Sequence, residues 1–211
     1  MTENVQLMRD AKAALSGKWG YAALGTLVYV VIAGIVSVVS YIPFIGWVAP
    51  LLLLGAVELG YTHFIISIKG EKDDMKIDTL FVGFQDFARA LVTYLLMTIF
   101  IFLWMLLLIV PGIIMAIAYS MTFFIIAEDK NIGGYEAIKK SKQMMYGYKW
   151  KYFCLSLRFL GWALLACLTF GIGLFWLIPY MQSTFYNFYL DIKNNPIARP
   201  IEEKTTIEVN E

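Results

Sequence analysis

The placement of charged residues constrains this chain more than any other feature. All but one of the 17 Lys and Arg residues fall in four stretches, 9–18, 69–89, 130–151 and 193–204. The intervening uncharged stretches are residues 19–57, 90–127 and 159–190. A helix crosses the hydrocarbon core of a bilayer with about 20 residues, so each uncharged stretch is long enough for two crossings. The pattern therefore predicts three pairs of membrane-spanning helices.

A pair of crossings returns the chain to the side from which it started, so the four basic stretches are expected on one face. The positive-inside rule identifies that face as cytoplasmic. We therefore predict an all-α polytopic protein of the bacterial cytoplasmic membrane, with six transmembrane helices and both termini in the cytoplasm. The predicted spans are about 20–40, 47–68, 88–110, 112–127, 152–168 and 172–190, in a single domain of residues 1–193 followed by a flexible cytoplasmic polar tail, 194–211. A four-crossing fold with re-entrant hairpins is the alternative.

Composition agrees with a membrane protein. Apolar residues make up 60% of the chain and charged residues 16%, whereas soluble domains have roughly 45–50% and about 25%. The formal net charge of +1 gives no indication of nucleic-acid binding. Membrane lipids are the expected partners, because basic groups on the inner face can meet anionic headgroups.

An internal repeat adds amphipathic helices to this plan. Residues 7–19 and 137–150 align with a one-residue gap, and each combines a basic amphipathic pattern with a Gly and a Lys-Trp pair before an apolar stretch. Residues 79–89 form a third short amphipathic element. The sequence thus predicts three units, each a cytoplasmic interfacial helix followed by a transmembrane hairpin.

The second of these helices, over residues 134–147, is expected to lie along the inner membrane surface. Its apolar residues Ile138, Met144 and Met145 are expected to face the acyl boundary while neighbouring lysines reach lipid phosphates. The candidate headgroup contacts in the whole chain are Lys18, Lys139, Lys140, Lys142 and Lys149.

Glu58 and Arg158 are the charges that the bilayer should penalise most. Glu58 lies near the middle of the second predicted span, where an ionised carboxylate costs about 2.5–3.5 kcal/mol on insertion scales. Arg158 lies inside the fifth. Three interpretations are open: the two side chains pair, Glu58 is neutral and bonded to Tyr or Thr while Arg158 extends to the interface, or Glu58 serves transport or proton handling.

Tyr61, Tyr119 and Tyr180 lie in the predicted cytoplasmic halves of three spans. With Glu58 and Arg158 they form the candidate intramembrane polar site. Such side chains either line a cytoplasm-facing cavity or hold neighbouring helices together. The sequence leaves both possibilities open.

Other reactive residue types give no site. His63 is a lone imidazole, and metal sites need three or four converging donors, so a structural role is predicted. Cys154 and Cys167 are separated by roughly 20 Å of helix, which excludes a disulfide, and buried packing is predicted for both. No catalytic motif, metal site or cofactor site is predicted.

Many short motifs of the chain resemble those of a bacterial integral-membrane family called domain of unknown function 975. The matching residues are Gly17 to Gly20, Glu58 to Tyr61, Leu80 to Phe84, Ile109 to Ile114, Tyr119 to Met121, Glu136 to Ile138 with Ser141, Gly147 to Trp150, Gly161 with Trp162, Leu168 to Gly173, and Pro179 with Tyr180. The resemblance implies a multi-pass membrane fold, and the family name implies no activity.

Two classes of function fit these features. The first is a non-catalytic protein that acts by contact with another membrane protein or as a homo-oligomer, in a transporter-accessory, envelope-assembly or immunity-type role. The alternative is a small transporter or lipid-translocating protein that uses a cytoplasm-facing polar cavity with Glu58. An intramembrane enzyme is the least favoured class, because the sequence has no nucleophile–base pair or metal cluster.

Overall fold

A computed structural model describes residues 2–39, 48–70 and 76–197 of the chain. The connection between the first two predicted spans, 20–40 and 47–68, and most of the predicted tail, from residue 198 onward, lie outside the described residues. Within them, all regular structure is helical, and no strand occurs. The α-helices are α1 Asn4–Leu15, α2 Trp19–Val39, α3 Val48–Ser67, α4 Val82–Gln85, α5 Phe87–Leu107, α6 Ile109–Tyr119, α7 Thr122–Glu128, α8 Gly134–Met144, α9 Lys149–Cys167 and α10 Leu174–Asn194.

Four helical stretches of the described chain are long and apolar enough to cross a membrane. They are Trp19–Val38, Pro50–Ser67, Phe87–Leu107 and Ile109–Glu128. The remaining two predicted spans do form helices, α9 and α10. These helices are less apolar, since α9 carries Lys149, Lys151 and Arg158 and the second half of α10 is rich in polar residues. The six predicted segments thus coincide with helices, and six crossings stays a prediction.

The fourth predicted span is broken, and the turn before it is displaced. The predicted spans 88–110 and 112–127 put the connection at residue 111, but α5 ends at Leu107, Leu108 is extended, and α6 begins at Ile109. Pro111 fits in the first turn of α6 because no intrahelical bond is expected of its nitrogen there. A second break at Ser120 and Met121 separates α6 from α7. This break gives the Ser120 hydroxyl a bond to the Ile117 carbonyl.

Helices α3 and α10 form the centre of the bundle. Helix α3 packs against α2, α5, α7 and α10, and α10 also packs against α1 and α9. The closest approach is at Gly60 of α3, where an added Cβ would lie 1.8 Å from the Leu80 carbonyl oxygen in the 3₁₀ helix Ile77–Phe81. Glycine is therefore required at position 60 for the chain before α5 to pack against the middle of α3.

Helices α1 and α8, which lie in the two segments aligned in the sequence, bury their residues at corresponding positions. Helix α1 buries Leu7, Ala11 and Leu15, and α8 with the residue after it buries the equivalent positions, Ala137, Ser141 and Met145. Gly17 and Gly147 follow at the same spacing and have φ angles of 73° and 78°. Because this left-handed conformation favours glycine, both helices end in the same turn before α2 and α9.

The buried faces of both amphipathic helices contact protein. Helix α1 packs on α10, and α8 packs on α5, α6 and α7. The prediction that Ile138 and Met145 face the acyl boundary is therefore wrong, since both are buried among protein side chains. An apolar stripe indicates that one face of a helix is buried. The spacing of its residues does not show whether that face contacts lipid or a neighbouring helix.

Candidate functional site

Glu58 lies in a small polar cluster between α2 and α3. The Tyr29 hydroxyl donates to its carboxyl oxygen Oε2 at 3.0 Å. The rings of Tyr29 and Tyr61 stack with centroids 4.2 Å apart, and the Tyr61 hydroxyl is 3.0 Å from Thr26 Oγ1. The Glu58 side chain is thus bonded to a tyrosine, as one of the three interpretations expected.

Arg158 is in a different place. Its side chain is exposed, and its Nη1 lies 3.9 Å from the Met8 sulfur of α1. The ion pairs among the described residues join other side chains, so the pairing of Glu58 with Arg158 is wrong. The sequence predicts both residues inside spans, but it holds no information on the direction in which each side chain points from its helix.

The five residues of the predicted polar site do not come together. Glu58 and Tyr61 share the cluster between α2 and α3. Tyr119 packs on Phe100, with ring centroids 6.4 Å apart, on the side of the bundle formed by α5, α6 and α8. Tyr180 packs on Trp19 at 6.3 Å, beside α1 and α9. The prediction of one intramembrane site is therefore replaced by three separate places.

Tyr119 lines a cavity of about 420 Å³ between α5, α6 and α8, which we call the α8 cavity. Its lining residues are Phe100, Trp104, Met115, Tyr119, Tyr135, Ile138, Lys139, Lys142 and Gln143. Its lining includes four aromatic side chains and two lysines. The cavity thus combines apolar walls with positive charge.

Tyr180 lines a second cavity, of about 470 Å³, which we call the α1 cavity. Its lining residues are Lys12, Trp19, Trp162, Leu165, Ala166, Gly173, Trp176, Leu177 and Tyr180. Helices α1, α2, α9 and α10 contribute to it. Three of the six tryptophans of the chain meet here.

The candidate headgroup lysines also separate. Lys139, Lys140 and Lys142 are exposed on α8. Lys149 lines an apolar cavity between α6 and the start of α9. Lys18 is used within the protein, because its ammonium donates to the Ile68 carbonyl at 2.8 Å and to the Gly70 carbonyl. A cation suits the unpaired carbonyls at a helix C-terminus, so the headgroup role predicted for Lys18 is corrected to a structural one after α3.

A buried ionic cluster, where the starts of α1 and α9 meet the end of α10, was missed from the sequence. Asp191 accepts hydrogen bonds from the Thr2 nitrogen at 3.2 Å, the Thr2 hydroxyl at 2.8 Å and the Lys151 ammonium at 3.1 Å. Burial acts to raise the pKa of Asp191, but the hydrogen bonds from Thr2 and Lys151 outweigh burial and hold the pKa below its usual range. These residues are distant in the sequence and share no motif, so no sequence signal joins them.

Glu128 forms a second ionic cluster, which is more exposed, at the end of α7. Its carboxylate accepts hydrogen bonds from Tyr189 at 2.8 Å and Tyr186 at 3.3 Å, and from the Lys193 ammonium. These bonds join α7 to α10.

The reactive residue types are dispersed. In residues 2–39, 48–70 and 76–197, no three His, Cys, Asp or Glu side chains meet as a metal site would require. Cys154 and Cys167 are free, as predicted, but both are exposed, so the prediction of buried packing is wrong for them. The side chain of His63 is half-buried, and its Nε2 atom is buried without a hydrogen-bond partner within the protein.

Comparison with known proteins gives one result. No curated protein and no solved structure matches the chain. The family described as "Protein of unknown function (DUF975)" matches residues 1–118 and 105–196. The two matches together cover nearly the whole sequence, so the chain belongs to this family.

Proposed function

We propose that this is a multi-pass protein of the bacterial cytoplasmic membrane that acts without catalysis, by contact with a membrane partner. In this proposal α2–α3, α5–α6 and α9–α10 are three transmembrane hairpins, and both termini are cytoplasmic. The role is that of a transporter accessory, an envelope-assembly factor or an immunity protein, and the partner is another membrane protein or a second copy of this chain.

The observation that carries the proposal is the use of inner polar side chains as contacts between helices. Tyr61 is hydrogen-bonded to Thr26 across α2 and α3. Asn187 of α10 donates to the Leu7 carbonyl of α1 at 3.2 Å. The Ser141 hydroxyl of α8 donates at 2.8 Å to a carbonyl near the end of α6. Side chains engaged in this way hold neighbouring helices together. They therefore favour a function by contact with a partner over a function that needs an open polar passage for a substrate.

Helix α8 offers a surface for contact with a partner. Its buried face is held by Ser141 and by Gly134, at which an added Cβ would lie 2.4 Å from Thr93 Oγ1. The opposite face carries exposed Glu136 and Lys140. A charged surface held on a fixed helix suits recognition, because little backbone freedom is lost on binding.

A pull-down in mild detergent tests the proposal. We expect stoichiometric capture of one membrane protein, or a defined homo-oligomer, with Lys140→Glu weakening the association. Lys130→Glu, a charge reversal at an exposed lysine outside α8, is the matched control. A monomer with no captured protein, for wild type and both variants, would reject the contact function.

One observation favours the second candidate, a small transporter or lipid-translocating protein. Glu58 carries a carboxyl group in the middle of α3, bonded to Tyr29, where a purely structural bundle needs none. We expect Glu58→Gln to fold and to keep biological activity if contact is the function. Loss of activity in a normally folded Glu58→Gln protein would favour the transport alternative.

A further inference from the structure

We propose that the α8 cavity and the α1 cavity are two repeat-related sites for anionic phospholipids. Each site would take the phosphate group at its lysine and an acyl chain along its aromatic wall. This inference concerns the lipid ligands of the protein and stands independently of the partner-contact function.

The first argument is the equivalence of two lysines. Lys12 and Lys142 each lie five residues before the glycine, Gly17 or Gly147, that ends the amphipathic helix in its left-handed turn. The two helices bury equivalent positions, so the two lysines leave their helices at the same place relative to the buried face. Lys12 lines the α1 cavity, and Lys142 lines the α8 cavity.

The second argument is the donor set of the α8 cavity. Lys142 is joined there by Lys139 and by the amide of Gln143, and the lining contains no acidic side chain. Two cations and a neutral amide donor suit a phosphate group.

The third argument is the amphipathic shape of both cavities. Phe100 and Trp104 line the α8 cavity, and Trp162 and Trp176 line the α1 cavity. Large aromatic surfaces of this kind suit contact with an acyl chain. A free phosphate would use the lysines and leave these walls without a ligand. An anionic phospholipid matches both parts.

Native mass spectrometry of the full chain in detergent can count bound lipids. We expect wild type to retain two molecules of phosphatidylglycerol and to bind phosphatidylcholine at least tenfold more weakly. Lys142→Gln and Lys12→Gln should each weaken one phosphatidylglycerol site by about tenfold, as expected for the loss of one charged hydrogen bond. The double variant should weaken both sites.

Lys130→Gln and Arg9→Gln are the controls, since they remove the same charge from exposed positions that line neither the α8 cavity nor the α1 cavity. Both controls should retain two phosphatidylglycerol molecules. Equal losses in controls and cavity variants would overturn the proposal, and so would equal binding of the two lipids by wild type. Displacement of the lipid by millimolar inorganic phosphate would show that the sites recognise phosphate alone, which also contradicts the proposal.

Discussion

The cluster around Asp191 gives a prediction whose size follows from burial. The side chain of Asp191 is 6% exposed and that of its partner Lys151 is 17% exposed. Removing one member of such a pair leaves an uncompensated charge, which typically costs 3–5 kcal/mol. For Asp191→Leu we expect about 3 kcal/mol, the lower end of that range, because the Lys151 ammonium keeps its bond to the Thr2 carbonyl. Lys151→Met should cost about the same, since it leaves the carboxylate unpaired.

The double variant, Asp191→Leu with Lys151→Met, should lose less stability than the sum of the two single losses by about 2 kcal/mol, because it leaves no buried charge unpaired. Unfolding of the purified protein in mixed micelles measures the three free energies. Lys193→Met is the control: Lys193 pairs with Glu128 but is 49% exposed, so its loss should cost no more than about 1 kcal/mol. Additive losses at Asp191 and Lys151 would refute the coupling.

The same cluster should make the free energy of unfolding depend on pH in the acid range. The folded-state pKa of Asp191 lies below its usual range, because the hydrogen bonds outweigh the opposing effect of burial. The ionised carboxylate therefore stabilises the fold above the pKa of an unfolded aspartate, and this contribution is lost as the pH falls through the lowered folded-state pKa. Asp191→Leu should flatten that acid limb of the stability curve. An unchanged acid limb in this variant would show that other carboxylates cause it.

Two further predictions concern α2 and α3. Gly60→Ala should destabilise the protein by at least about 1–3 kcal/mol, because the new Cβ would meet the Leu80 carbonyl. Gly34 has open space around it, so Gly34→Ala should be neutral or should stabilise the protein by up to about 1 kcal/mol. Thermal unfolding compares the two, and equal effects would contradict the close approach at Gly60. Tyr29→Phe should cost about 1–3 kcal/mol by leaving the Glu58 carboxyl without its donor, and an unchanged unfolding free energy would show that this bond is not needed.

Helix positions could be predicted from the sequence because charge and glycine mark them directly. Gly17 and Gly147 gave the ends of α1 and α8, and the uncharged stretches gave the long helices. The break at Ser120 and Met121 could not be predicted, since neither residue disfavours a helix strongly. Leu108 was missed as the α5–α6 connection because Pro111 and Gly112 suggested a chain reversal at that point. In the structure both residues lie inside the first part of α6.

The candidate site was harder to predict because it depends on helix rotation and on contacts between distant residues. Glu58 was singled out by its cost in an apolar stretch, but its donor, Tyr29, carries no comparable signal. Asp191 is held by Thr2 at the other end of the described chain, which no local pattern reveals. The sequence identifies which residues are costly to bury, and the packing of helices decides which partner each one finds.

Reporter fusions test the central claim, the placement of the basic segments on the inner face of the membrane, most directly. A reporter fused after Lys142, on the exposed face of α8, should give a cytoplasmic signal. A second fusion after Gly171, in the α9–α10 connection, should report from the outer face if those helices cross, and a cytoplasmic signal there would reduce the crossings to four. An outer-face signal from the fusion after Lys142 would contradict the whole topology.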